Sequence, residues 1–350
     1  MKKIIFVLIL LLQINVFASI SEIVMDTNSG RILYENNAHE KKLIASTTKI
    51  MTFVVAYEYA KDFLDVYVEA GDEILKMYGT SIYLSYHEKM LLKDLLYGLM
   101  LRSGNDAAEV IAYFVGGSEE GFVKLMNMKA KVLGMNNTIF HNPHGLDENT
   151  QNYSTAYDMA ILSSYASKIP LYREVTNTKY YNVQTEIKAY AWTNRNKLIF
   201  TYPNFTTGKT GYTPSAGRTF VSTAKKDNLE LTVVTLNDDN HYERHRILYE
   251  EMFKKYRNYC LMSQEEFRIS EPNLYIKEDI YYPLTISEKE KINTKLVLNN
   301  ELENRSGELV FSLNNKEILR KDVYKNKEKQ SIKEDIGFFQ KVKEFFQNLF

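Results

Sequence analysis

Ser46 and Lys49 lie three residues apart, directly before an apolar stretch that runs from Ile50 to Ala60. On a helix this spacing brings the two side chains onto one face and into contact. The stretch leaves almost no polar face, which is typical of a fully buried helix. A serine hydroxyl beside a lysine amine at the first turn of such a helix can act as an activated nucleophile. The amine can remove the hydroxyl proton, and the helix N-terminus favours negative charge nearby.

The Ser-x-x-Lys spacing alone does not identify a site. Ser222 and Lys225 repeat it within a stretch that alternates like a β-strand, where the two side chains would point to opposite faces. Two further motifs give the first pair its meaning. Ser103-Gly104-Asn105 falls in a turn between two predicted apolar helices, and Lys209-Thr210-Gly211 falls on a predicted strand. The ordered trio, with each member in its required structural context, is far more specific than any one motif.

The hydrophobic periodicity predicts a mixed α and β domain around these motifs. We expect residues 72–135 to be mostly helical, interrupted by the turn at 102–105, after which Asn105 or Asp106 would cap the next helix. Thr155 or Ser154 has the pattern of a further helix cap. The other predicted elements are a hairpin over 20–34, a helix over 122–133, strands over 206–213, 218–224 and 230–236, and a helix over 241–256. The fold class is therefore α+β, with an antiparallel sheet flanked by a helical block.

The composition changes after Cys260. Short alternating runs separated by turn residues fill 265–328 and predict a small all-β domain. A charged linker then leads to a last segment in which large apolar residues fall on one helical face, which indicates an interfacial membrane helix. A core helix is the alternative for that segment. The predicted organisation is a signal peptide (1–18), a catalytic domain (19–260), a small β-sandwich (261–328), and a linker with an amphipathic helix (329–350).

Charge and cysteine content narrow the function classes. The chain has 44 basic and 44 acidic residues with no basic cluster, so we expect no nucleic-acid partner. Its one cysteine excludes an internal disulfide. A secretory signal is indicated by Lys2 and Lys3, an apolar run from Ile4 to Leu12, and an acceptable cleavage site at Val16-Phe17-Ala18, although a retained anchor is the alternative.

The sequence resembles the serine-type D-alanyl-D-alanine carboxypeptidases, the low-molecular-mass penicillin-binding proteins of peptidase family S11. The trio carries this resemblance, and residues 140–146 (FHNPHGL), 153–156 (YSTA) and 208–213 (GKTGYT) extend it. The resemblance implies the penicillin-binding-protein and β-lactamase-like transpeptidase fold, followed by the β-domain and the terminal helix. It also implies peptidoglycan stem peptides as substrates, β-lactams as covalent inhibitors, no cofactor and no metal. The expected location is the outer face of the cytoplasmic membrane.

The chemistry assigns the central roles. Ser46 would attack the carbonyl of the penultimate D-alanine, and Lys49 would take its proton. Lys49 must then be neutral, and both burial and the nearby cation of Lys209 lower its pKa. By resemblance, Ser103 relays a proton toward the leaving amine, and Asn105 orients Lys49 and the substrate amide.

The resemblance also implies a substrate-binding set. Lys209 and Thr210 would bind the terminal carboxylate, and Gly211 would let the peptide approach the strand edge closely. The oxyanion hole would be the backbone N–H groups of the nucleophile and of Tyr212. Arg244 lies where the family often keeps an arginine that assists carboxylate binding.

Other functions stay open on the same fold, namely a β-lactamase, a D,D-endopeptidase or a catalytically silent cell-wall binding protein. No acid is identifiable as the deacylating base of a class A β-lactamase, and no catalytic position is missing. His241, Glu243 and His245 could suggest a metal site, since the two histidines are four apart on a helix. We expect them to be surface helix residues instead, and His141 and His144 to shape their loop.

Overall fold

The computed structural model of the chain describes residues 19–267, 274–302 and 305–325. The predicted signal peptide (1–18) and terminal helix (329–350) lie outside these residues. The chain divides into two compact units. The first comprises the described residues up to Lys225 together with Glu230–Tyr249, and the second comprises Lys226–Leu229 together with the described residues from Glu250 onward. The predicted domain limits stay predictions.

The regular elements alternate along the chain. The strands are β1 Ser21–Asp26, β2 Ile32–Asn36, β3 Lys42–Leu43, β4 Tyr67–Glu69, β5 Lys89–Leu91, β6 Tyr153–Ser154, β7 Tyr180–Gln184, β8 Ala189–Thr193, β9 Phe205–Thr213, β10 Gly217–Lys226, β11 Leu229–Leu236, β12 Arg257–Met262, β13 Leu274–Tyr275, β14 Ile280–Leu284, β15 Ile292–Leu302, β16 Arg305–Leu313 and β17 Lys316–Lys325. The α-helices are α1 Lys49–Ala60, α2 Leu92–Tyr97, α3 Asn105–Gly116, α4 Glu119–Val132, α5 Ala156–Ala166, α6 Pro170–Thr176, α7 Leu198–Thr201, α8 His241–Lys255 and α9 Ile286–Lys289. Tighter 3₁₀ turns cover Ala45–Thr48, Lys61–Phe63 and Asp72–Ile74, and a π turn covers Gly98–Arg102.

A five-stranded sheet organises the first unit, in the order β2-β1-β11-β10-β9. β1 runs antiparallel to β11, with Ser21 opposite Leu236, and β9 runs antiparallel to β10, with Thr213 opposite Gly217. The two strands β9 and β2 are therefore the edges of this sheet. The three predicted strands between 206 and 236 and the early hairpin are confirmed, and so is the α+β fold class.

Helix α1 lies at the centre of the helical block. It packs against α3, α4 and α5. From Lys49 to Ala56 the helix is buried on every side, as predicted from the lack of a polar face, whereas Tyr59 in its last turn is exposed. Each large apolar side chain so buried contributes roughly 1.5–3 kcal/mol to stability. Its completely buried apolar residues are Ile50, Met51, Phe53, Val54, Val55 and Ala56.

The helical prediction is wrong for the first part of 72–135. Apart from the short turn Asp72–Ile74, residues 72–91 form loop and the strand β5, which pairs with β4. The buried carboxylate of Asp106 holds part of this segment, residues 81–84, in its loop conformation. It accepts the backbone N–H groups of Ile82 and Leu84 and the hydroxyl of Ser81. Those backbone donors are thereby satisfied without a helix.

Helix caps were predicted correctly at one position and wrongly at another. The side chain of Thr155 accepts the N–H of Asp158 at the start of α5, as expected. The residue that caps α3 is Gly104, which makes no side-chain bond, and Asn105 is already helical. The Asn105 side chain is used in the site described below. Within the described residues, no helix is both long enough and apolar enough to cross a membrane.

The second unit is built from β-strands, as predicted. β12 pairs with β14, and a four-stranded sheet has the order β13-β17-β16-β15. The strands β15, β16 and β17 follow one another through antiparallel pairings. This unit has its own apolar core, which includes Met262, Phe267, Leu274, Ile280, Leu309, Phe311 and Val323.

Candidate active site

Ser46 lies in the 3₁₀ turn Ala45–Thr48 that leads into α1. The turn is held tightly: Thr47 donates its hydroxyl to the carbonyl of Ile44 at 2.5 Å, and Ala45 has a left-handed φ of 45°. Ala45, Thr47 and Thr48 are buried, whereas Ser46 is partly exposed. The turn therefore presents one hydroxyl to a ligand.

Lys49 is completely buried directly below this serine. Its Nζ lies 2.7 Å from Asn105 Oδ1, 2.6 Å from the carbonyl oxygen of His144 and 3.2 Å from Ser46 Oγ. Burial and then the cation of Lys209 lower the pKa of Lys49 well below its usual value. The environment thus favours the neutral amine, as the sequence analysis expected.

The three neighbours of Lys49 determine how a neutral amine is oriented. A neutral amine has two N–H donors and one lone pair. Asn105 Oδ1 and the His144 carbonyl can only accept hydrogen bonds, so they take both donors. The Asn105 amide is fixed in this orientation because its Nδ2 donates to the carbonyl of Tyr78 at 2.7 Å. The lone pair is left for the third neighbour, the Ser46 hydroxyl, which is the arrangement that a general base requires.

Ser103 and Lys209 form the opposite part of the site. Ser103 follows the π turn Gly98–Arg102 and has a left-handed φ of 64°. Lys209 is 3% exposed, and its Nζ donates to Ser103 Oγ at 2.9 Å and to the carbonyl of Thr210 at 2.7 Å. Burial, followed by the nearby cation of Arg195, lowers the pKa of Lys209 to about 7. A bound carboxylate would raise this pKa again and favour the ammonium form.

Gly211 lets β9 approach the nucleophile turn. A Cβ atom at this position would lie 2.8 Å from the backbone N of Ser46 and would overlap Thr219 Oγ1. Gly211 and Lys209 share one face of β9, and by strand alternation Thr210 and Tyr212 leave from the other. The predicted role of Gly211 is to admit the substrate, and the structure adds that this glycine admits the Ser46 turn itself.

We expect Gly211→Ala to slow acylation of Ser46 by at least about tenfold, because the added methyl displaces the backbone N of the nucleophile. The measurement is the rate of labelling by a fluorescent penicillin, with the melting temperature as a check on folding. The double variant Gly211→Ala, Thr219→Ala removes the overlap with Thr219 only. Full recovery of acylation in the double variant would show that the contact with Ser46 is unimportant.

The loop 141–146 contributes more than its shape. The carbonyl of His144 accepts from Lys49, and Thr52 Oγ1 donates to the carbonyl of Pro143 at 2.5 Å. Gly145 has a φ of +86°, and a Cβ there would overlap the carbonyl of Ala45. The prediction for this loop was only that its histidines shape it. It did not include the His144 carbonyl as part of the site. The motif FHNPHGL was the available signal.

Comparison with known proteins is consistent with this geometry. The family model of the D-alanyl-D-alanine carboxypeptidases, peptidase family S11, matches residues 13–240. The chain belongs to this family. The carboxypeptidase DacF of Bacillus subtilis is 38% identical over 229 residues, which is 64% of this chain and 58% of DacF. DacC of Escherichia coli is 36% identical over 227 residues, which is 61% of this chain and 55% of DacC.

These matches span only a little over half the length of the two relatives. Among solved structures, penicillin-binding protein 5 of Haemophilus influenzae has a TM-score of 0.73 at 25% identity and covers 87% of this chain and 95% of its own. The carboxypeptidase DacD of Francisella tularensis has a TM-score of 0.68 at 26% identity, over 87% of this chain and 92% of that chain. The family assignment and the penicillin-binding-protein fold predicted from the motifs are thereby confirmed.

One residue that was predicted to belong to the site, Arg244, does not lie there. Arg244 donates two hydrogen bonds of 2.7 Å to the carboxylate of Glu22 on β1, and it also contacts the hydroxyl of Tyr34 on β2. Two strands, β11 and β10, separate β1 from β9 in the sheet. The guanidinium is thus directed toward the far edge, away from Lys209. The cation that acts on Lys209 is Arg195.

The histidines of α8 are not surface residues, so that expectation is wrong. His245 is completely buried, and its ring contacts the hydroxyls of Ser222 at 2.7 Å and Thr235 at 3.2 Å. Both ring nitrogens are therefore occupied by sheet hydroxyls, which excludes them as metal ligands in this arrangement. Ser222 is committed to this network while Lys225 is exposed, so the second Ser-x-x-Lys motif forms no pair.

Another group of side chains has the residue types of a metal site. Ligand atoms of Glu109, Glu119 and His144 lie within 4.8 Å of one another. The N–H of Leu146, however, donates to His144 Nδ1 at 3.0 Å, so the proton of the neutral ring is on Nε2. A metal-binding histidine instead donates through the nitrogen that is not coordinated. This group does not fit a metal ion.

Proposed function

We propose that this protein is a serine D-alanyl-D-alanine carboxypeptidase that removes the terminal D-alanine from peptidoglycan stem pentapeptides. The observation that carries the proposal is the orientation of Lys49, whose two carbonyl acceptors leave its lone pair for Ser46. Membership in the carboxypeptidase family supports the same substrate class.

The reaction begins when Ser46 Oγ bonds to the carbonyl carbon of the penultimate D-alanine and its proton passes to Lys49. The oxyanion is stabilised by the backbone N–H groups of Ser46 and Tyr212. The peptide C–N bond then breaks, and the leaving amine receives a proton relayed by Ser103. Water hydrolyses the resulting ester, which returns the free serine and the shortened peptide. Asn105 keeps the amine of Lys49 oriented toward Ser46 throughout the reaction.

A carboxypeptidase recognises its substrate by the terminal carboxylate of the peptide. We assign recognition of this carboxylate to the ammonium of Lys209. Thr210 leaves β9 from the opposite face, so its proposed contact with the carboxylate would be made at the free edge of the strand. A charge-assisted hydrogen bond is roughly twice as strong as a neutral one. Arg244 is not part of this proposal, because its guanidinium is paired with Glu22.

A β-lactam would acylate the same serine, and the resulting ester would be hydrolysed slowly. Two acidic side chains, Asp106 and Glu109, lie close enough to Lys49 to act on it electrostatically. Asp106 accepts hydrogen bonds from the 81–84 loop, and Glu109 faces the ring of His144. Neither is arranged to activate a deacylating water, which argues against a β-lactamase. A catalytically silent binding protein would not need the oriented lysine.

The test is the release of D-alanine from a synthetic stem pentapeptide that ends in D-Ala-D-Ala. The wild-type protein should release one D-alanine per peptide, and Ser46→Ala should release none. A peptide that ends in L-alanine is the control for stereospecificity. Cleavage only of cross-linked dimeric peptides would indicate an endopeptidase, and no cleavage of either substrate would refute the proposal.

We also propose that the protein is exported and held at the outer face of the cytoplasmic membrane by the segment 329–350. The support is the sequence pattern of residues 1–18 and the apolar face formed by Phe338, Phe339, Val342, Phe345, Phe346 and Leu349.

Truncation after Lys329 should therefore release active enzyme into the soluble fraction. High salt should release the full-length protein poorly, because the attachment is mainly apolar. The measurement is D-alanine release in the membrane and soluble fractions of cells that express each form. A truncated protein that stays with the membrane would contradict this role of the tail.

A further inference from the structure

Glu109 is a buried acid that the proposed reaction does not use. It lies on α3 and is only 2% exposed. Within the described part of the chain, its Oε1 atom is buried without a hydrogen bond of good geometry. A polar atom close to it is His144 Nε2, at 3.4 Å. A buried carboxyl group without a role is costly, so its position calls for an explanation.

The protonation state of the His144 ring is set by its other nitrogen. The N–H of Leu146 points at Nδ1, which must therefore keep its lone pair. The single proton of the ring is on Nε2, facing Glu109. Burial, and then the cation of Lys49, lower the pKa of His144 to about 3, so the ring stays neutral. The two residues cannot form an ion pair in this geometry.

The surroundings of Glu109 correspondingly favour its neutral form. Burial is the main cause that raises its pKa to about 8, and the carboxylates of Glu119 and Glu73 add to it, while Lys49 opposes them. A neutral carboxyl can accept the Nε2–H of His144 through its carbonyl oxygen without leaving a bare buried charge. The pair thus consists of one possible donor, His144 Nε2, and one possible acceptor, Glu109 Oε1, 3.4 Å apart.

The backbone of His144 connects this pair to the catalytic amine. Its carbonyl oxygen accepts from Lys49 Nζ at 2.6 Å. The neighbouring N–H of Gly145 donates to Asn142 Oδ1 at 2.6 Å, which fixes the loop from the other end. Leu146 fixes Nδ1, and the Glu109 carboxyl group lies 3.4 Å from Nε2, so the ring is confined on both sides. A confined ring keeps this carbonyl where it takes one of the two donors of Lys49. If the carbonyl moves, the amine can rotate, and its lone pair no longer faces Ser46.

We propose that Glu109 is a positioning residue for the Ser46–Lys49 pair, acting through the ring of His144. The inference rests on the proposed function, since it concerns the base of that reaction. Glu109 touches neither the serine nor the carboxylate site at Lys209. Its removal should therefore slow the acylation step and leave substrate binding unchanged.

The test compares Glu109→Gln with Glu109→Met in the full-length protein. Gln keeps the carbonyl acceptor, and Met keeps the length of the side chain but removes the acceptor. Glu109→Met should lower the limiting rate of penicillin acylation by about tenfold or more, with an unchanged dissociation constant for the encounter complex. Glu109→Gln should stay within about threefold of wild type. Glu186→Met, at an exposed acid outside this cluster, is the matched control and should have no effect.

Folding is monitored separately. Glu109→Met leaves the Nε2–H of His144 without an acceptor, which is destabilising in a buried site, so a small fall in the melting temperature is expected in a protein that still folds. If it does not fold, Glu109→Leu provides the same comparison. Equal rates for the Met and wild-type proteins would overturn the proposal, and so would equal losses in the Met and Gln proteins.

A double-variant cycle tests the route through His144. In a His144→Phe background, which has no ring donor, Glu109→Met should change the acylation rate by less than about twofold. An undiminished effect in that background would overturn the proposal. Because wild-type activity and its dependence on Ser46 are measured alongside, a failure here is distinguishable from a failure of the proposed function.

Discussion

Lys49→Ala should abolish acylation of Ser46 by penicillin and release of D-alanine from the pentapeptide. The variant removes the only amine in hydrogen-bond reach of Ser46 Oγ in the described part of the chain. It also leaves Asn105 Oδ1 and the His144 carbonyl without their donor, which costs roughly 1–3 kcal/mol for each buried group. Some loss of stability should therefore accompany the loss of activity.

Lys225→Ala is the matched control for this experiment. Lys225 belongs to the other Ser-x-x-Lys motif, is exposed, and should be replaceable without effect on either activity. Labelling is followed with a fluorescent penicillin, and folding is followed by the melting temperature. Near-wild-type acylation in a folded Lys49→Ala protein would refute the role of Lys49 as the base.

Lys209→Ala should reduce kcat/KM for the pentapeptide by about a hundredfold or more. The variant removes a charge-assisted contact to the terminal carboxylate and the cation that lowers the pKa of Lys49. A second signature is the pH dependence of substrate binding. Since the pKa of Lys209 is about 7, the free enzyme holds the ammonium form below that pH and loses it above. KM should therefore rise as the pH increases through 7 in the wild type.

The control is a substrate whose terminal carboxylate is replaced by an amide. For this substrate, wild-type and Lys209→Ala proteins should differ little in KM, and the rise with pH should disappear. A Lys209→Ala protein whose KM for the carboxylate substrate still rises through pH 7 would assign the pH dependence to another group.

Local sequence signals predicted the elements that carry the site. The apolar face around α1, the turn before Asn105 and the alternating strand around Lys209 each reflect a period or a breaker that acts over a few residues. The order of the three motifs then indicated that three segments distant in sequence form one site. What these signals supplied was the identity of the residues and the element on which each one lies.

Long-range contacts account for what the sequence did not predict. Within 72–91, the backbone N–H groups of Ile82 and Leu84 are bound by Asp106, which is distant in sequence, and not by a helical turn. Arg244 has the right position in the chain, but Glu22 on β1 binds its guanidinium. His245 lies on a helix whose sequence is mostly polar, and only the packing on the sheet shows that it is buried. None of these partners is adjacent in sequence, so no local pattern could reveal them.

The pairing of Glu109 with His144 belongs to the same class. Glu109 sits in an otherwise apolar stretch of α3, where a single acid gives no periodic signal. Its meaning depends on which ring nitrogen of His144 carries the proton, and that depends on the backbone of Leu146. This relation is apparent only from the positions of the Glu109 carboxyl group, the His144 ring and the Leu146 N–H in the structure.

The central claim is that Ser46 is the nucleophile, and peptide mapping of the penicillin adduct tests it most directly. When Ser46 Oγ bonds to the lactam carbonyl, the ring C–N bond opens and the nitrogen takes up a proton, so the protein gains the full mass of the penicillin. We expect this mass on the peptide that contains Ser46, at one adduct per chain, and no adduct in Ser46→Ala. An adduct that persists in Ser46→Ala, or that maps to Ser103 or Ser222 in the wild type, would contradict the account.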